Sequence, residues 1–186
     1  MCIAKRKIVL AKFLEELSTE RPKAKARKKE IVRQPIFSKG DCIVFKLKNG
    51  NYGGAIILEA IRNSPYPYNL VATTTLNQLQ KPTKKDFISS NVLIINFGKS
   101  DNKPLINWIL PIRYKNVAHL FEKIDTIDVE IIYDLKQINY GFCGDFDIWV
   151  IDQADKQFEN ELSSSKKSNK SISIKSLINK SKWKLW

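Results

Sequence analysis

The chain is poor in the residues that do covalent and metal chemistry. Its 186 residues hold one histidine, His119, and three cysteines, Cys2, Cys42 and Cys143. Three thiols cannot all pair within one chain, and these form neither a C-x-x-C pair nor any zinc-ligand spacing. A reducing cytoplasm is their simplest setting. Long apolar runs are also missing: none approaches the roughly 18–20 residues that span a bilayer, which excludes a transmembrane helix. Lys5, Arg6 and Lys7 precede Ile8 to Ala11 as in a secretion signal, but Lys12 breaks the run and Glu15 and Glu16 follow it. A cytoplasmic protein is expected.

Catalytic motifs are absent as well. There is no Gly-x-Ser-x-Gly elbow, His-Glu-x-x-His pair or Walker loop. Gly50, Gly53 and Gly54 lack a following Lys-Ser/Thr and belong to a hairpin, so they do not form a phosphate cradle. His119 sits among Val117, Ala118, Leu120 and Phe121, the setting of a structural histidine. A dyad with Cys42 or Cys143 would need the fold to bring the pair within hydrogen-bond reach. The expectation is a protein with no catalytic residues and no cofactor, and not an enzyme.

What the chain does have is a core and an uneven distribution of charge. A hydrophobic fraction of 43% with 10% aromatics excludes a wholly disordered chain. The net charge of +13 suggests a polyanion as partner, through counterion release. Divided along the chain, the charge takes a different meaning. Residues 1–34 carry 11 Lys/Arg and 4 acids, and residues 163–186 carry 7 Lys and no acid, a net of +7 for each. The body between them carries 14 bases and 15 acids, a net of −1. Within it, residues 35–121 hold 11 bases and 4 acids, while residues 122–162 hold 3 bases and 11 acids. Three parts follow: a basic N-terminal helix and linker (1–34), a β-rich globular domain (35–162) and a basic Ser/Lys-rich tail (163–186).

The first arm opens with a helical pattern in which Ile8, Ala11, Leu14 and Leu17 share a face widened by Leu10 and Phe13. The helix is expected to stop near Ser18-Thr19, ahead of Pro22. Residues 21–33 are a charge run, read as a solvated linker or as a nucleic-acid arm. From residue 35 the pattern changes to strands. Asp41 to Leu47 alternates loosely, Asn49-Gly50 supplies a type I′ hairpin turn, and Tyr52 to Ile61 returns as the partner. The paired Gly53 and Gly54 imply a bulge, a bend or close backbone approach. Strands are also expected over 68–76, 91–97, 105–112, 128–133 and 146–151, with short helices near 84–89 and 117–124. The result is a mainly β, α+β fold: a small antiparallel barrel or half-barrel with an N-terminal amphipathic helix and short flanking helices. In the tail, a polar linker precedes Ile174, Leu177, Ile178 and Leu185, near Trp183 and Trp186. This stretch reads either as a contact for membrane, RNA or partner, or as a segment folded back on the body.

The acidic half has two explanations. Asp145 and Asp147 would share a face of an extended segment, with Asp152 and Asp155 following, and such a set can hold Mg²⁺ or Ca²⁺. No further motif points to a metal, so a solvated acidic rim that docks a basic partner is the expectation.

The stretch Ser38-Lys39-Gly40-Asp41 into the apolar strand 42–47, then Asn49-Gly50-Asn51-Tyr52-Gly53-Gly54 and the apolar strand 55–58, resembles the opening hairpin of the immunity protein 26 family. The resemblance covers about residues 36–135, leaves both arms outside, and departs from the family where Ala55-Ile56 follows Gly54 instead of Gly-Arg. It implies a protein of bacterial polymorphic toxin loci that neutralises a cognate toxin by binding it, and it brings no catalytic residues. The acidic half would suit a basic toxin such as a nuclease. The residues expected to form that surface are Asp125, Asp128, Glu130, Asp134, Asp145 and Asp147, with Tyr140, Phe142 and Trp149 as possible anchors. The alternative is a nucleic-acid-binding module gripping phosphates through Lys23, Lys25, Arg27, Lys28, Lys29, Lys166, Lys167, Lys182 and Lys184.

Overall fold

A computed structural model of the chain describes residues 3–19, 35–61, 67–98, 102–110, 114–130, 145–163 and 170–178. The chain divides into two units, Met1–Ile31 and Val32–Trp186. The first contains helix α1, Ile3–Ser18. Its end falls where Ser18 and Thr19 turn their hydroxyls back to the Glu15 carbonyl, at 3.0 and 2.9 Å. The side chains described along α1 are exposed throughout.

The second unit is built on a five-stranded antiparallel sheet. Its strands are β1 (Asp41–Lys46), β2 (Tyr52–Ile61), β3 (Tyr68–Thr73), β6 (Ile106–Ile109) and β7 (Phe121–Thr126), in the spatial order β6-β3-β2-β1-β7. Short strands β4 (Ile94–Ile95) and β5 (Lys103–Pro104) pair separately. The expected hairpin between β1 and β2 is in place, but its turn is not type I′. Of Asn49 and Gly50 only Gly50 has a positive φ (+84°), and the turn is closed by the Gly50 amide donating to the Leu47 carbonyl at 3.0 Å. Among the described residues the sheet is open and no closed barrel forms, with β6 and β7 as the two edges.

Side chains alternate across a strand, and here both faces are buried. Ile43, Phe45, Ala55, Ile57, Val71 and Ile109 belong to one core, and Cys42, Val44, Ile56, Leu58, Leu70, Ala72 and Trp108 to the other. This explains why Asp41 to Leu47 alternates only loosely: residues 42–45, like 55–58, are apolar on both faces. The expectation from the paired glycines is answered by close packing. A Cβ on Gly53 would lie 2.5 Å from the Phe45 ring, and one on Gly54 would lie 2.7 Å from the Phe87 ring. A bulge does occur on β2, but later, at Leu58 between Ile57 and Glu59.

The first core is covered by the segment 146–163. A wide π-helical turn, Asp147–Asp152, runs into helix α4, Gln153–Ser163. This overturns the strand expected over 146–151. Phe146, Val150 and Ala154 are the fully buried apolar positions, and their i, i+4, i+8 spacing is helical. Two polar groups fix α4 in place. The Lys48 amide donates to Asp155 Oδ1 at 3.0 Å, and the Asn96 amide donates to the buried Gln157 Oε1 at 2.8 Å.

The second core is covered by helix α2, Lys84–Ser89, and by residues 170–178. Asp86 caps α2 by accepting from the Thr83 amide (2.7 Å) and hydroxyl (2.8 Å), which holds its carboxyl below the usual range. In 170–178 the 3₁₀ turn Ile174–Leu177 buries both of its apolar ends, Ile174 at 0% and Leu177 at 3% exposure. Its backbone is tied in as well. Val92 donates to the Ile172 carbonyl (2.8 Å), Ile174 to Ser90 (3.1 Å) and Glu130 to Leu177 (2.6 Å). Part of the basic tail is therefore a strap on the sheet. In the other region expected to be helical, helix α3 spans Tyr114–Val117, a 3₁₀ turn spans Ala118–Leu120, and β7 begins at Phe121 instead of continuing the helix.

Candidate functional site

Three of the acidic residues singled out in the sequence, Asp125, Asp128 and Glu130, lie on and just beyond β7, the edge beside β1. Gly40 and Asp41 build the junction. Gly40 has φ +86°, and a Cβ there would run into the Ile127 carbonyl oxygen, so only glycine lets these two segments approach. The Ile127 amide donates to the Gly40 carbonyl at 2.9 Å, and the Gly40 amide to Ile57 at 2.7 Å. Asp41 is buried and takes three groups: the Ser38 amide (2.9 Å), the Thr126 hydroxyl (3.1 Å) and Lys123 Nζ (2.7 Å). The Gly-Asp pair of the resemblance motif thus has a structural task here, fastening the start of β1 to the end of β7.

Outward from this junction, charges on β7 meet Lys81, just before α2, and Lys84, its first residue. Lys81 pairs with Glu122 at 2.6 Å and Lys84 with Asp125 at 2.9 Å, and Lys84 also donates to the Thr126 carbonyl at 2.6 Å. The hydrogen bond from Lys84 is the main cause holding the Asp125 carboxyl below its usual range. Between these elements lies an open groove of about 470 Å³, lined by Lys81 to Lys84 and Glu122 to Asp125. Its three lysines each carry a carboxylate partner, since Lys123 holds Asp41. The groove therefore presents paired charge of both signs.

Beyond β7 the chain stays extended and alternates. Ile127 and Val129 are buried at 5% each, while Asp128 and Glu130 are exposed. A bridge from Val129 to Ile178 of the strap fixes this register and keeps the two carboxylates on the outer face.

The remaining candidates separate from this strip. Asp145 and Asp147 are half-buried at the entry to the helical segment, so the shared face expected of an extended 145–147 does not form. The Asp145 carbonyl accepts from the Trp149 amide at 3.1 Å, and Trp149 packs against the first core. Asp155 is committed to Lys48, and burial pushes its carboxyl above the usual range. No group of three or more His, Cys, Asp or Glu suited to a metal occurs among the described residues. His119 is exposed on its turn, whereas Cys42 is fully buried. Burial, and then the Asp125 charge, push that thiol up to about 12, which disfavours the thiolate a nucleophile needs. Asp134, Tyr140, Phe142, Cys143 and the lysines and arginine proposed for nucleic acid (23, 25, 27, 28, 29, 166, 167, 182 and 184) lie outside the described residues. Sequence reasoning missed Asp41, Lys81, Lys84 and Lys123. Nothing local marks their pairing, which joins positions 41 to 82 residues apart.

Among the described residues no helix is long and apolar enough to cross a membrane. No protein-family model, curated protein or solved structure matches the chain.

Proposed function

We propose that this protein is a binding module of the immunity type, which neutralises a cognate bacterial toxin in the cytoplasm by direct protein–protein contact. The observation that carries the proposal is the outer strip beyond β7. There Asp128 and Glu130 project side by side from a segment whose alternate residues are locked in the core. Carboxylates on a rigid support suit a basic partner, because they steer encounter and their positions are fixed before contact. The resemblance of residues 36–135 to the immunity protein 26 family supports the same reading. A basic nuclease is the toxin class that the charge of this strip favours. Nucleic-acid binding by the arms remains the alternative.

The test is co-expression with the toxin encoded beside the gene, together with affinity measured on purified proteins. The double reversal Asp128→Lys/Glu130→Lys is expected to weaken toxin binding by roughly tenfold or more, with the loss largest at low salt. The fold is expected to be retained, since both side chains point outward. Unchanged affinity and protection in that variant would remove the acidic strip from the interface.

A further inference from the structure

Among the described residues, helix α1 carries the largest group of neighbouring exposed apolar side chains. Six large apolar side chains between residues 8 and 17 are 56–69% exposed: Ile8, Val9, Leu10, Phe13, Leu14 and Leu17. Four of them, Leu10, Phe13, Leu14 and Leu17, follow the i, i+3, i+4, i+7 pattern and form a single stripe. By the same 3.6-residue period Ile8, Lys12 and Glu15 lie on the opposite side with Lys5 next to them, Lys7 flanks the stripe, and Arg6 continues its line one turn before Leu10. A contiguous apolar stripe of this kind on a polar helix marks a surface made to be covered.

We infer that α1 lies on an anionic lipid surface, with the Leu10–Phe13–Leu14–Leu17 stripe in the acyl boundary and Lys5, Arg6, Lys7 and Lys12 at the headgroups. Charge complementarity selects this occupant. The helix carries four bases against Glu15 and Glu16, and the whole of residues 1–34 carries a net of +7. Basic charge on or beside an amphipathic helix is the combination that anionic bilayers attract, and neither component alone gives firm attachment. A nucleic acid would use the charge and leave four apolar side chains in water. A second copy would need a coiled coil of about two heptads, shorter than isolated helices sustain, and would bring the basic flanks together. At 16 residues and interrupted by Lys12, α1 is suited to lying in the interface and too short and charged to span. This inference rests on α1 alone and is independent of the proposed toxin contact.

The test is flotation of the full-length protein with phosphatidylglycerol–phosphatidylcholine vesicles and with vesicles of phosphatidylcholine alone. Binding is expected to the anionic vesicles and to fall as salt is raised. The variant Leu10→Gln/Leu14→Gln keeps every charge and a similar helix propensity, and is expected to lower partitioning roughly tenfold or more. The variant Lys5→Gln/Arg6→Gln/Lys7→Gln keeps the stripe and is expected to lose the preference for anionic lipid. Three results would each overturn the inference: no flotation of the unaltered protein, equal partitioning of the Leu→Gln variant, or equal binding to both vesicle types. A dimer in solution that the Leu→Gln variant dissolves, without flotation, would assign the stripe to a second copy instead.

Discussion

The two ends of the chain share a composition and meet opposite fates. Each is a basic arm of net +7 with a small set of aliphatic side chains. At the N-terminal end Leu10, Leu14 and Leu17 stand 58–61% exposed, whereas at the other Ile174 and Leu177 are 0% and 3% exposed. The difference lies in the backbone. A helix satisfies most of its own amides and carbonyls, and the apolar stripe of α1 is exposed. Residues 170–178 make too few bonds among themselves and take them from Ser90, Val92 and Glu130, which draws their side chains into the core. Composition alone does not distinguish an arm from a strap. The distinction lies in where the backbone bonds go.

The largest effect expected from this contrast is on folding stability. Ile174→Ala should cost about 2–5 kcal/mol in urea denaturation, as for a fully buried aliphatic side chain. Leu14→Gln should stay within about 0.5 kcal/mol, as for an exposed site. Equal costs at the two positions would abolish the distinction. Next comes Gly40→Ala, which places a Cβ against the Ile127 carbonyl at a positive φ and so loosens the strip that the strap holds at Glu130. A loss of about 1–3 kcal/mol is expected, read as a lower melting temperature.

How far the sequence disclosed this architecture depends on how local each signal was. Pro22 and the apolar spacing marked α1, Asn49-Gly50 marked the β1–β2 hairpin, and Pro82-Thr83 marked the start of α2; each is contained within a few residues. Phe146 to Ile151 misled because Phe146, Ile148 and Val150 also satisfy a period of two. The true burial of Phe146, Val150 and Ala154 is distinguishable only once the sheet that receives them is known. The glycine pair implied a bulge, a bend or close approach, and which of these applies at Gly54 is decided by the ring of Phe87, which lies far along the chain. The acidic strip was legible as composition. Its partition into Asp125 paired with Lys84, and Asp128 and Glu130 facing outward, came from long-range register and from the bridge to Ile178.

A smaller effect sharpens the contrast between buried and outward carboxylates. Burial raises the Asp155 pKa, so the folded state binds that proton more readily than the unfolded chain. Its contribution is greatest below the ordinary carboxylate value and is lost as pH rises through the raised one. Asp155→Asn, whose Oδ1 can still accept from the Lys48 amide, should flatten that part of the stability–pH profile. An unchanged profile would remove Asp155 as its source. Smallest of all is Lys81→Ala, which breaks the exposed pair with Glu122 and should shift stability by no more than about 0.5 kcal/mol. A larger shift would mean that the groove beside β7 contributes to the fold.

Hydrogen–deuterium exchange of the full chain, with and without anionic vesicles, tests the contrast between the two ends most directly. In solution the amides of Val92, Glu130 and Ile174 should be protected to nearly the level of the sheet, while those of α1 should exchange quickly, as an isolated 16-residue helix does. Vesicles should slow exchange along α1 and leave the strap unchanged. Rapid exchange at Ile174, or α1 amides that vesicles do not protect, would contradict the account.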